Sequence, residues 1–236
     1  MFKWFKKKHK GLCVAVIAAG GSGSRMGGDG KQLILINEIP MIARSLLAFE
    51  AAKNVDAVVV VAKEDEMVQI SRIIVDYNIK KVVQTVRGGQ SRIESVAAGI
   101  AAAPKGYKLV AIHDGARPLV SSKLIDEVVE AADLSGAAAA AIKPVDTVRK
   151  CVRGVIGDDF DRERVVLMQT PQVFLMEEYD VAIAYAMTKD ASYTDDVAVY
   201  RMLKKEVTLV EGERTNIKIT IPQDILIAEM FLEELL

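Results

Sequence analysis

Four short stretches of this chain are continuous apolar runs: LCVAVIA at 12–18, DAVVVVA at 56–62, KLVAIH at 108–113 and GAAAAAIK at 136–143. A strand with one face in water alternates apolar and polar residues, whereas a strand covered on both faces does not. Segments with helical spacing separate the runs: PMIARSLLAFEAA behind Pro40, Glu64 to Tyr77, RIESVAAGIAAA closed by Pro104 and Gly106, and SSKLIDEVVEAAD with its capping serine. KKVVQTV at 80–86 reads as a further strand. Strands alternating with helices in this way predict an α/β fold, a Rossmann-like, mostly parallel sheet with helices on both faces.

The alternation runs to about Pro144 without a break in composition, so a single domain over 12–236 is expected, behind a leader at 1–11. From Val145 to Met168 the rhythm breaks. β-branched residues flank GVIGDDFDRE there, as in a hairpin or an extended arm. A protruding β-arm of this kind cannot bury both faces on its own domain, so a second subunit is expected against it, making a homodimer. Helical stretches follow at about 176–188 and 195–204, then VTLVEG, NIKIT and a C-terminal helix starting near Pro222.

The totals exclude several classes. In 236 residues, 51% are hydrophobic and 27% charged, which supports a buried core and argues against disorder. A net charge of −1 argues against broad nucleic-acid binding. Two cysteines, Cys13 and Cys151, make no disulfide framework, and with two histidines, His9 and His113, they build no ordinary zinc site. No apolar stretch reaches eighteen residues and no secretory segment is visible, so no membrane partner and a cytoplasmic location are expected. The start, MFKWFKKKHKG, could be a membrane-surface or nucleic-acid arm, or a solvated leader; the solvated leader is the simpler reading.

The first apolar run leads into AAGGSGSRMGGDGKQ at 18–32. Glycine at this density serves a backbone that must approach something closely, and strand, glycine loop and helix together form an anion-binding geometry. A P-loop requires G-x-x-x-x-G-K-[ST]; Lys31 follows Gly30, but Arg25 and Gln32 break the pattern. A dinucleotide fingerprint begun at Gly21 requires glycine where Met26 stands, and VVVVA is followed by Lys63 instead of a ribose-binding acid. A third template, G-x-G-x-R-M followed by a lysine, fits. There the loop wraps a nucleoside triphosphate, with Arg25 and Lys31 as fixed cations.

The loop resembles that of the sugar-nucleotide pyrophosphorylase superfamily. GGQSRIESV (88–96), HDGARP (113–118), DT (146–147), QTPQ (169–172), YTDD (193–196) and NIKIT (216–220) follow in order. Together they resemble the 2-C-methyl-D-erythritol 4-phosphate cytidylyltransferase family over about residues 12 to 232. The resemblance implies a fold of the nucleotide-diphospho-sugar transferase type. It also implies attack by an acceptor phosphate oxygen on the α-phosphorus of CTP, expelling pyrophosphate, with Mg²⁺ held mainly through the CTP phosphates. The partners it implies are CTP and a phosphorylated polyol.

Carried over residue by residue, Arg25 and Lys31 are the expected catalytic cations. Ala18, Ala19, Gly20, Gly21, Gly23, Gly88, Gly89, Arg92, Ser95 and Gly115 are the expected nucleotide-binding positions. Asp114, Arg117, Thr147, Arg162, Thr170, Thr194 and Lys218 are the expected acceptor-binding positions, with Asp146, Thr147 and Arg162 reaching the neighbouring subunit's substrate from the arm. Blander readings stand beside these: Arg92 as a surface cation, Asp114 as a turn cap, His113 as a packed strand residue, Arg164 as a solvated control, and Lys218 as an exposed strand lysine. Asp114 at a strand's carboxyl end could also help place the metal.

Two departures from the family pattern stand out. Gly30 occupies the position of a proline, which is expected to loosen the loop, and PVDT lacks the residue commonly found between valine and aspartate, which leaves the arm's register open by one. A ribitol-5-phosphate cytidylyltransferase shares the loop and the chemistry, and a catalytically silent nucleotide-binding subunit is the alternative from another class. HDGARP, TPQ and YTDD together favour the methylerythritol reading, and the retained cations argue against silence.

Overall fold

The computed structural model describes residues 11–21, 30–189 and 193–234. Its centre is a seven-stranded sheet containing β1 (Gly11–Ala18), β4 (Ala57–Ala62), β5 (Val82–Arg87), β6 (Tyr107–Asp114), β7 (Ala137–Ile142), β10 (Leu167–Leu175) and β11 (Thr208–Glu211). The spatial order is β11-β7-β10-β6-β1-β4-β5. β1 pairs in parallel with β4 and β6, β4 with β5, and β11 with β7, while β10 runs antiparallel to both β6 and β7.

Both faces are covered, as the apolar runs require. On one side Ala15 and Ile17 of β1 pack with α1 (Met41–Ala51), α2 (Met67–Asp76) and α4 (Ser122–Ser135) through Leu46, Phe49, Ile70 and Val128. On the other side Val16 joins Val61 and Ile112 beneath α3 (Arg92–Ala102), α5 (Met176–Met187) and α6 (Asp196–Tyr200). Helix α3 sits close to the sheet because Gly99 faces it. A Cβ there would lie 2.4 Å from Val16 Cγ1 and 2.7 Å from Val61 Cγ2. Gly99→Ala gains about 1 kcal/mol of helix propensity but overpacks against two stiff β-branched residues at a cost of up to about 3 kcal/mol. The expected net loss is about 1–2 kcal/mol, measured by urea unfolding; a stabilised variant would show that α3 can lift off the sheet freely.

Two elements differ from the sequence expectation. The antiparallel strand β10 carries the QTPQ motif, whose proline argues against a central strand. The sheet tolerates it because the ladder to β7 shifts between Met168 and Gln172, around the cis Thr170–Pro171 bond. NIKIT, in contrast, forms no strand; it is an extended segment tied down by Ile219 N–H to Ala116 O at 2.8 Å. A small hairpin, β2 (Leu35–Ile36) and β3 (Ile39–Pro40), precedes α1, and α7 (Gln223–Glu234) ends the described chain.

The arm is a two-stranded antiparallel ribbon, β8 (Arg149–Val152) and β9 (Val155–Asp159), closed by Arg153 and Gly154 at φ 51° and 80°. Every residue of both strands is exposed, including Val152, Val155 and Ile156. From Leu167 the chain has already rejoined the main sheet, so the ribbon proper is shorter than the 145–168 segment expected.

Candidate active site at the strand ends

Parallel strands present their carboxyl ends together, and open α/β sheets bind ligands there. Ala18 of β1 registers with Asp114 of β6. Backbone bonds stitch the strand ends to their loops: Ala19 N–H to Val61 O at 2.7 Å, Gly88 N–H to Ala62 O at 2.8 Å, and Gly115 N–H to Ala18 O at 3.0 Å. Ala18, Ala19, Gly20, Gly21, Gly88, Gly89 and Gly115 therefore share one rim of the sheet. Gly23 and Arg25 lie outside the described residues.

The segment 88–95 is built around the start of α3. Ser91 caps the helix by accepting from Glu94 N–H at 3.3 Å, and Glu94 Oε2 accepts from Gln90 N–H at 2.7 Å. Ser95, 6% exposed, accepts from Gly89 N–H at 3.1 Å and donates to Ser91 O at 3.0 Å. A Cβ on Gly88 would lie 2.8 Å from Ser95 Oγ, and one on Gly89 2.3 Å from Glu94 Cβ. Only glycine lets this turn fold onto the helix. The Ser95 hydroxyl is thus engaged in shaping the loop, and the positive end of α3 opens beside it.

Asp114 is the centre of the charge arrangement. Its Oδ2 accepts from Lys218 Nζ at 2.6 Å and its Oδ1 from Arg92 Nη2 at 3.3 Å. Burial works to raise its carboxyl, but Arg92, Lys218 and Arg117 outweigh that and hold it well below the usual carboxylate range. Neither the turn-cap reading of Asp114 nor the surface-cation reading of Arg92 describes these contacts. Lys218 reaches Asp114 from the extended segment, with part of its side chain still exposed.

Arg117 spends its guanidinium on the backbone, donating to Asn216 O at 2.7 Å and Met168 O at 3.2 Å. It clamps the QTPQ strand and the Lys218 segment together. Thr170 serves the same junction, accepting from Asp114 N–H at 3.1 Å. Asn216 Nδ2 donates to Thr170 O at 3.0 Å.

His113 is fully buried and lies 5.0 Å, centroid to centroid, from the Phe49 ring. Its Nε2 faces Arg117 O at 3.3 Å, so that nitrogen carries the proton and Nδ1 accepts from the Thr170 hydroxyl at 3.0 Å. Burial first, opposed by Asp114 and assisted by Arg117 and Lys218, pushes its pKa down to about 4. The unfolded chain protonates this group near the ordinary value of about 6.5. Folding is therefore fully favoured above that value and loses about 3 kcal/mol as pH falls from about 6.5 to about 4. His113→Asn is expected to flatten the pH dependence of urea unfolding across that window; an unchanged slope would place the loss elsewhere.

Lys31 lies on a 3-10 turn, Lys31–Leu33, entered through Gly30 at φ 83°. That left-handed backbone excludes proline, and Gly30 N–H donates to the buried Glu66 Oε1 at 3.0 Å. At residue 30 itself the family's missing proline is thus replaced by a specific anchor, not by slack. Burial raises the Asp224 carboxyl, but the Ile221 and Thr220 amides, the Thr220 hydroxyl and the charge of Lys31 hold it low.

The arm residues stand apart. Asp146, Thr147, Arg162 and Arg164 are exposed, and Arg162 Nη1 donates to Val145 O at 3.2 Å. No hydrogen bond or ion pair joins them to the Asp114 group among the described residues. Thr194 is exposed beside Asp195, which caps α6. Sequence reasoning passed over Asp196, which bonds Arg92, and Tyr179 and Gln172, which bond Asp196; all three are buried. The available signal was the acidic pair opening the helical DDVAVY, one acid to cap and a second on the inner face.

The sequence model of the family described as IspD, 2-C-methyl-D-erythritol 4-phosphate cytidylyltransferase, matches residues 13–234. A protein of that name from Bacillus cereus is 38% identical over 220 residues, covering 92% of this chain and 96% of the relative. One from Syntrophus aciditrophicus is 38% identical over 224 residues, covering 94% and 96%. Among solved structures, the Anaerococcus prevotii 4-diphosphocytidyl-2C-methyl-D-erythritol synthase superposes with a TM-score of 0.85 at 27% identity, covering 94% of this chain and 96% of that one. The Thermus thermophilus cytidylyltransferase gives 0.75 at 32%, covering 94% and 99%. A match across nearly the whole length, on a sheet whose strand ends gather the motif residues, shows that this chain belongs to the 2-C-methyl-D-erythritol 4-phosphate cytidylyltransferase family.

Proposed function

We infer that this chain transfers CMP from CTP to 2-C-methyl-D-erythritol 4-phosphate, releasing pyrophosphate and forming 4-diphosphocytidyl-2-C-methyl-D-erythritol for isoprenoid synthesis. The observation that carries the reading is Asp114, held ionised between Arg92 and Lys218 beside two glycine turns at the sheet's carboxyl rim. The acceptor phosphate is already an anionic nucleophile, so no side-chain base is required. Transfer then depends on positioning and on neutralising charge spread over phosphoryl oxygens. The backbone amides of Gly20 and Gly21, with the start of α3, support a triphosphate. Arg25 and Lys31 are assigned to the α-phosphorus and the departing pyrophosphate. Lys218 is assigned to the acceptor phosphate, with Asp114 on the polyol.

The described residues include no group of three or more His, Cys, Asp or Glu able to hold a metal ion. Mg²⁺ fits this donor set only as a cation taking most of its ligands from CTP phosphates, with Asp114 as the carboxylate at hand. When bound, it supplies charge neutralisation on those phosphates. No helix among the described residues is long and apolar enough to cross a membrane, and both substrates are charged solutes; this supports a cytoplasmic location.

The deciding assay is pyrophosphate release from CTP and Mg²⁺ with a panel of phosphorylated polyols. Turnover only with ribitol 5-phosphate would keep the chemistry and overturn the acceptor. No release with any acceptor by folded protein would favour a silent binding subunit.

The exposed ribbon, with Val152, Val155 and Ile156 open to solvent, supports a homodimer in which Thr147 and Arg162 complete the partner's acceptor site. Arginine binds two phosphate oxygens at once, which suits a phosphomonoester. Replacing 149–159 with a short glycine linker is expected to give a monomer by sedimentation, with acceptor KM raised about tenfold or more and CTP affinity little changed. A monomer of full activity would contradict this role.

A further inference from the structure

Asp196 is 1% exposed, and nothing in the transfer as described uses it. Its Oδ2 accepts from Arg92 Nη2 at 2.6 Å, and its Oδ1 accepts from the Tyr179 hydroxyl at 2.6 Å. Its N–H donates to Gln172 Oε1 at 2.9 Å, and Gln172 Nε2 donates to Asp195 Oδ2 at 3.1 Å. The carboxylate and N–H of Asp196 are therefore each tied to a neighbour on another element: Arg92 of α3, Tyr179 of α5 and Gln172 of β10.

The same Nη2 of Arg92 that meets Asp196 at 2.6 Å stands 3.3 Å from Asp114 Oδ1. A single nitrogen bridges two carboxylates, and the shorter contact goes to the more deeply buried one, whose side chain is 2% exposed against 12% for Asp114. Charge–charge attraction grows as distance and local dielectric fall, so Asp196 fixes where the guanidinium sits. Signs alternate along the line of contacts: Asp196 negative, Arg92 positive, Asp114 negative, Lys218 positive. Without the innermost charge, Arg92 would close onto Asp114 and both would be withdrawn from a ligand. Arg92 keeps 28% of its side chain exposed, and it follows directly on the turn at 88–91.

We propose that Asp196 is a positioning residue for nucleotide binding and transfer: it anchors Arg92 against Tyr179 and α6, so that Asp114 shares the arginine without sequestering it. This rests on reading the 88–95 segment as part of the CTP site. The rival role is structural, with Asp196 merely pinning α6 to α5.

A double-mutant cycle separates the two, because residues acting through one another are non-additive. Asp196→Asn keeps an acceptor for Tyr179 but turns an amide or an uncharged oxygen toward Arg92. It is expected to weaken Mg·CTP binding, measured by calorimetry, and to lower kcat/KM for CTP, each by about tenfold. In an Arg92→Gln background the same change is expected to have less than about a threefold effect on either quantity. Equal losses in both backgrounds would overturn the proposal. If Asp196→Asn does not fold, Tyr179→Phe is put through the same cycle, with an expected loss of about threefold that vanishes with Arg92→Gln. Persistence of that loss would again overturn it. The calorimetric arm reads the coupling even if the acceptor has been misassigned, and wild-type protein that fails to bind Mg·CTP would sink the underlying functional reading instead.

Discussion

Arg25→Ala is expected to lower kcat by about 10²–10³-fold while CTP affinity stays within about tenfold. The charge on the α-phosphoryl oxygens and the leaving pyrophosphate grows as the bond breaks, and a fixed cation in a glycine loop is worth most at that moment. In the ground state the triphosphate would keep its other supports: the amides of Gly20 and Gly21, the start of α3, Lys31 and its own Mg²⁺. Losing one cation then costs little binding. Single-turnover CMP transfer under saturating CTP, paired with calorimetry, separates the two effects. Equal losses in kcat and affinity would make Arg25 a ground-state binder. Arg25→Lys tests geometry at constant charge, because an ammonium cannot reproduce the guanidinium's planar fork.

Asp114→Asn is expected to lower kcat/KM for the acceptor by about 10²-fold or more, with the fold intact by circular dichroism. Removing one partner leaves a cation uncompensated, a cost that reaches about 3–5 kcal/mol for a fully buried pair and is smaller where solvent reaches the charge. Here the stranded cation is Lys218, directly bonded to Asp114, whereas Arg92 keeps its shorter ion pair with Asp196. Lys218 would lose the carboxylate that fixes its ammonium, and Arg92 would turn wholly to Asp196. The pH behaviour of the native protein is a second check. Because Asp114 is held below its unfolded value, its contribution is fully present above the usual carboxylate pKa of about 4 and is lost only as pH falls further. Between pH 5 and 8, changes in activity must come from other groups. Near-normal acceptor kinetics in Asp114→Asn would remove this residue from the site.

Much of this was legible from patterning. Runs such as DAVVVVA have no polar face to show, and β4 is indeed buried at every position. Ser121 and Gly136 bounded α4, where the cap accepts from Leu124 N–H and the glycine sits at φ 92°. Individual strand ends such as Asp114 could be placed because topology sends every parallel strand's carboxyl end to one rim. What patterning could not reveal was pairing between distant segments. Arg92 and Asp196 are separated by 104 positions, as are Asp114 and Lys218. A lone charged residue in a sequence carries no mark of its partner, so the four-charge chain emerged only in three dimensions. Strand β10 was hidden for a local reason: Pro171 removes an N–H from a segment whose neighbours supply the rest of the ladder.

Strand β7 has one more consequence, in the order of assembly. Ala137–Ala141 is built from the residue with the highest helix propensity, held extended directly after α4, with only Gly136 to stop the helix running on. Its neighbours are β10 and β11 alone, both from later in the chain. β1, β4, β5 and β6 can pair with one another as soon as residue 114 has been synthesised. The alanine strand must wait for β10, complete only at residue 175, and its outer edge waits for β11, complete at residue 211. Until β10 arrives nothing holds it extended, and its own preference points the other way. The rim that carries Asp114 is thus founded early, whereas the alanine strand beyond β10 is sealed from its outer side last, by β11.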